Sequence, residues 1–145
     1  MRKKKTHLPV AKITGREVGI YRDNRALWIK DCEKWYKKNL TGKKVNNPIL
    51  GTISFYNSSF DETQHISRKN ILELRYLPAV KIILEKSIDI VPELPNHERK
   101  KDITISMFYA VYGYVKIDGE VRKIKVLVAE NENGKKYYCL DARQN

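Results

Sequence analysis

The segment SFDETQHISRKN, from Ser59 to Asn70, sets His65 just ahead of Arg68 and Lys69. Histidine, with an ordinary pKa of about 6.5, is the side chain best suited to exchange protons near neutral pH. If Ser67 caps a helix, the two cations fall in its first turn, where unpaired backbone N–H groups also attract phosphate. Cutting RNA without a metal needs parts of this kind. A base takes the 2′-hydroxyl proton, a donor protonates the leaving oxygen, and cations hold the phosphate. The nucleophile is already tethered to its target, so orientation supplies much of the rest. His65 is thus the candidate acid–base residue, with Arg68 and Lys69 as phosphate ligands. The same residues also read as an exposed turn beside two solvated charges, and the sequence leaves both readings open.

Other side chains could join them. Arg75 stands among Leu72, Leu74 and Leu77, either gripping phosphate bidentately or laying its stem on apolar surface with its head in water. Ser106, Tyr109, Tyr112 and Tyr114 lie along one strand-like stretch and Tyr137 and Tyr138 on another. A phenol projecting from a sheet can donate to phosphate or stack on a base, although strand tyrosines more often pack across strands. Tyr109 and Tyr138 are the two chosen as catalytic candidates. His7 and His97 have no metal-ligand partner at useful spacing, and Asp61 with Glu62 lacks a third ligand. No metal site and no cofactor are expected. The run TGKK lacks the glycine-rich loop of a phosphate-wrapping motif.

These residues must be held by one domain of ordinary size. The 145 residues are 41% apolar, which suits a packed globule. Lys and Arg outnumber Asp and Glu by 29 to 17, a net charge of +12. That excess draws polyanions and suits RNA or another nucleic acid as partner, although anionic-membrane binders share it and the charge alone does not identify the partner. No run approaches the roughly 18 apolar residues that span a bilayer, and the basic start lacks the apolar segment of a signal peptide. With only Cys32 and Cys139, no disulfide framework exists and a reducing cytoplasm is expected. A bridge between the two remains open at this level. Residues 1–8 read as a basic disordered arm, and 9–145 as a single domain.

The spacing predicts a short strand or arm over 8–20, then a helix capped by Asn24. Its stripe is Trp28, Ile29, Cys32, Trp35 and Tyr36, and Gly42 ends it. The motif NNP at Asn46 to Pro48 marks a turn before a strand from about Thr52 to Tyr56. A second helical region starts near Ser67 and splits at Tyr76–Leu77, where Pro78 suits only a first turn. The stretch VPELPNHERKKD reads as a loop. Alternation then predicts three strands joined at Asp118–Gly119 and Asn133–Gly134. The expectation is an α+β domain, with N-terminal helices packed on a C-terminal antiparallel β-meander.

Four pieces carry a resemblance: the first helix running into NLTGKKVNNPILG, the polar segment SSFDETQHISRKN, LRYLPAVKIILEKS, and FYAVYGYVKIDGEVRKIKVLVAENENGKKYYCL. Over residues 20 to 140 or so, the chain resembles the barnase–EndoU–colicin–RelE superfamily of small metal-independent ribonucleases. Within it, the chain is similar to nuclease-like domains of phage and mobile-element polyvalent proteins. The resemblance implies RNA cleavage by 2′-hydroxyl attack, a toxin or effector role, and an immunity or antitoxin protein as partner. It carries no paired histidines and no evident Glu–His couple. The alternative is a non-catalytic module of such a polyvalent protein that binds nucleic acid or protein.

Overall fold

The computed structural model describes residues 9–21, 23–56, 71–94 and 105–139. The expected basic arm, the segment 57–70 with its His65, Arg68 and Lys69, and His97 with its surroundings lie outside these residues.

A first strand, β1 (Val10–Lys12), precedes the helix α1 (Arg25–Asn39). Asn24 is extended (φ −131°, ψ 100°), and its side-chain oxygen accepts the Leu27 N–H at 3.2 Å, satisfying one orphan donor of the first turn. Trp28, Cys32 and Tyr36, spaced four apart, are the buried stripe, while Trp35 and Ile29 pack partly against the core. Lys37 and Lys38 complement the negative helix end. Gly42, at φ +83°, turns the chain back and donates its N–H to the Phe55 carbonyl at 2.9 Å.

The hairpin β2 (Lys44–Asn47) and β3 (Gly51–Ser54) follows. A 3₁₀ helix over Ile71–Tyr76 runs into α2 (Leu77–Lys86), with Pro78 in its first turn, so the break at Tyr76–Leu77 is where the sequence puts it. Leu77, Ala79, Val80, Ile83 and Leu84 are the buried face of α2. Then come β4 (Ile90–Glu93), the long pair β5 (Ile105–Ile117) and β6 (Glu120–Asn131), and β7 (Lys136–Cys139). Asp118 (φ 51°) and Gly119 (φ 82°) make the left-handed turn that joins β5 to β6.

The described strands form one curled, mixed sheet ordered β1-β5-β6-β7-β3-β2, with β4 also on β5. The α+β class stands, and β5–β6–β7 is an antiparallel meander. The expected arrangement of N-terminal helices on that meander alone is corrected: β1 runs parallel to β5 and β3 parallel to β7, so early strands close both sides of the late ones. The loop expected at VPELP is likewise corrected, because Ile90–Glu93 pairs with β5. Pro92 is tolerated there because, among the described residues, β4 pairs only with β5 and so lies at an edge.

Both helices cover one face. Their buried residues join Ile53, Val111, Val115, Val126, Val128 and Tyr138 in the main core. A smaller cluster of Ile105, Phe108, Leu127, Ala129 and Cys139 lies on the other face and takes no residue from either helix. Cys32 belongs to the first cluster and Cys139 to the second, so the sheet stands between the two sulfurs.

Candidate functional site

Alternation along the strands decides which side chains can meet. On β6, Val126 and Val128 face the helices, so Glu130, two residues on, takes the same side. On β7, Tyr138 faces the helices, and so does Lys136. On β5, Tyr109 packs against the same core. The register makes two rows. Tyr109, Val128 and Tyr138 are direct neighbours across three strands, and Glu130 pairs with Lys136 in the next row.

Beyond the end of the apolar core these side chains form a polar cluster. The Tyr109 hydroxyl donates to Glu130 Oε1 at 2.8 Å, and Lys136 Nζ lies 3.8 Å from Glu130 Oε2. The hydrogen bond to Glu130 holds the Tyr109 phenol above its ordinary pKa, with burial and the carboxylate charge acting in the same direction. Tyr109 therefore stays protonated and donates to Glu130, which fixes the carboxylate in place. The Lys136 and Glu130 side chains keep only 20% and 22% of their exposure, so water screens this pair less than a surface one. The arrangement is a carboxylate oriented by a phenol, with an ammonium beside it. It can take a proton, and the lysine can hold an anion.

The other candidate residues are placed as follows. Tyr138 is 4% exposed, stacked on Tyr36 (centroids 6.1 Å apart) and tilted against Phe55 (5.6 Å). It shares the Tyr109 row but lies within the core. Arg75, in the 3₁₀ helix, folds over the neighbouring Tyr76 ring at 5.2 Å, and its Nη2 donates to the Tyr76 hydroxyl at 3.3 Å. Its buried Nε finds no acceptor among the described residues. Arg75 is half-buried, and among the described residues no carboxylate pairs with it. His65, Arg68 and Lys69 lie outside the described residues. The chain enters their segment directly after Tyr56, whose ring is 5.6 Å from that of Tyr137, the neighbour of Lys136 on β7.

Glu130 and Lys136 are additions to the residues singled out from sequence. The signal is local: an acid continues the inward series Val126, Val128, where another apolar residue belongs. Charged strand positions usually read as solvated, and AENEN looks like the mouth of a turn. Among the described residues no group of three His, Cys, Asp or Glu side chains is placed to hold a metal. No described helix is long and apolar enough to cross a membrane.

A family model for large polyvalent protein-associated domain 3 matches residues 23–138. No curated protein and no solved structure matches the chain.

Proposed function

The chain belongs to the large polyvalent protein-associated domain 3 family, and from that premise we propose that it is a metal-independent ribonuclease module of a phage or mobile element. The observation that supports this reading best is the Tyr109–Glu130–Lys136 cluster, an oriented carboxylate and a cation at the edge of the core in a chain of net charge +12. Glu130 accepts the 2′-hydroxyl proton as the 2′-oxygen attacks the adjacent phosphorus. His65 gives a proton to the departing 5′-oxygen, so one proton is taken and one returned, leaving a 2′,3′-cyclic phosphate. Tyr109 orients Glu130. Lys136, Arg68, Lys69 and Arg75 hold the phosphate oxygens as charge builds on them. Tyr138 acts from behind, through the Val128 row, as a positioning residue. Such a ribonuclease would serve as an effector or toxin, and dependence of its expression on a co-produced immunity protein would favour the toxin role.

The test is RNA cleavage in EDTA, with product ends analysed, by wild type, His65→Ala, Glu130→Gln and Tyr109→Phe. Losing an acid or base lowers turnover by roughly 10²–10⁴-fold, so His65→Ala and Glu130→Gln should both fall in that range. Tyr109→Phe should lose less, because it leaves the carboxylate in place. Full activity in Glu130→Gln would sink the assignment. A second reading, nucleic-acid binding without turnover, is favoured by the opposite face of the sheet.

A further inference from the structure

On that opposite face, away from both helices, the register lines up tyrosines and lysines. Tyr112 pairs with Lys125 and Tyr114 with Lys123, across β5 and β6. On the β1 side, Lys12 is the register partner of Lys116. These six side chains share one face, since residues directly opposite in either kind of pair point the same way. Lys123 Nζ lies 5.0 Å from the centre of the Tyr112 ring, so that ring presents its face outward to a cation. Two carboxylates border the patch. Asp89 is 4.0 Å from Lys123, with side chains 39% and 51% exposed, and Glu93 is 3.5 Å from Lys125. Four ammonium groups thus stand against two carboxylates, all at least partly exposed.

We propose that this face is a docking surface for single-stranded RNA. The inference rests on the reading that the chain acts on RNA, but it needs neither Glu130 nor Tyr109, which lie on the helix side of the sheet. The occupant follows from the two chemistries present. Lysines in a row complement a phosphate backbone, and tyrosine rings between them take unpaired bases on their faces. A duplex keeps its bases stacked inside and could use only the lysines. An exposed cation–π contact and an exposed ion pair are both weaker than a base stacked on a tyrosine. An arriving base therefore displaces the Lys123 ammonium from the Tyr112 ring, and the ammonium moves to the adjoining phosphate.

The test is fluorescence anisotropy with the full chain and a labelled 2′-O-methyl pyrimidine oligonucleotide, which lacks the nucleophile for self-cleavage. It separates docking from catalysis, because the probe cannot be cut whether or not the chain is a ribonuclease. Wild type should bind the single strand at least tenfold more tightly than a duplex of the same length. Tyr112→Leu and Tyr114→Leu should each weaken binding about tenfold, while Tyr112→Phe and Tyr114→Phe, which keep the ring, should bind as wild type. Circular dichroism and thermal melts of the leucine variants confirm that they fold. Should a leucine variant not fold, the matching Lys123→Ala and Lys116→Ala variants decide, each expected to lower the salt dependence of binding by about one ion. Equal affinity for duplex and single strand, or unchanged binding in folded leucine variants, overturns the proposal. Loss of binding in those variants with no cleavage of natural RNA by wild type would keep this surface and remove the ribonuclease reading.

Discussion

At the scale of single residues, the clearest structural commitments are polar groups sealed in apolar surroundings. Burial pushes the Cys32 thiol from its ordinary 9.0 up to about 12, and the charge of Asp31 adds to the effect. A pKa raised on folding means the protonated form is the one the fold favours. That contribution is complete below about pH 9 and drains away as the pH climbs towards 12. The raised Tyr109 phenol adds a second loss in the alkaline range. Wild type should therefore lose thermal stability more steeply between pH 9 and 11 than Cys32→Ala does. Parallel melting curves for the two across that window would contradict the burial argument. The same thiol, left as the only cysteine in Cys139→Ser, should resist a disulfide reagent at pH 8 until guanidinium unfolds the chain.

Asn47 makes the corresponding case for hydrogen bonds. It is 4% exposed and fully engaged. Its amide donates to the carbonyls of Leu84 (2.7 Å) and Ser87 (2.9 Å), closing the end of α2, while its oxygen accepts the N–H groups of Ile49 (2.8 Å) and Leu50 (2.9 Å). One side chain thus ties the β2–β3 turn to a helix end. Asn47→Ala leaves buried carbonyls without donors and should cost about 3 kcal/mol in urea unfolding. The motif NNP announces a turn in the sequence, but it does not announce the helix carbonyls, which lie far along the chain.

Between elements, α2 fits closely on β5. A Cβ at Gly113 would lie 2.7 Å from Ile83 Cγ1 and 2.9 Å from its Cγ2, inside normal contact. Gly113→Ala should cost about 1–3 kcal/mol through overpacking. Ile83→Ala alone should be destabilising through its cavity, yet the double variant should lose less than the sum of the two. Strict additivity in denaturant unfolding would mean the helix simply shifts. Sequence periodicity announced these elements well, because α1, α2 and the β5–β6 hairpin each carry their apolar pattern locally. It could not announce which strands pair when no tight turn joins them. The parallel contacts β1–β5 and β3–β7 join distant segments with no turn between them. β4 was hidden by Pro92, which marks a loop unless the strand is an edge. Inward Glu130 was hidden for a related reason: a charge in a strand reads as solvent-facing until its partners are known.

At the scale of the whole molecule, the two surfaces proposed to meet RNA lie on opposite sides of one sheet. The cluster of Tyr109, Glu130 and Lys136 faces the helices, and Tyr112, Tyr114 and their lysines face away. A strand occupying both must pass around the sheet, so the two contacts act as linked sites whose joint gain depends on chain length. A dinucleotide offers only the scissile phosphate and its flanking bases, too little to engage both faces. A long single strand can be held by the tyrosines while its other part meets Glu130. Tyr112→Leu should therefore raise KM for a long single-stranded RNA about tenfold, matching the stacking lost, and leave kcat/KM for a dinucleotide unchanged. Glu130→Gln should lower turnover of both substrates alike. If Tyr112→Leu slowed the dinucleotide as much as the long strand, the ring would be acting on the fold or on the chemistry, and the division of labour between the faces would be wrong.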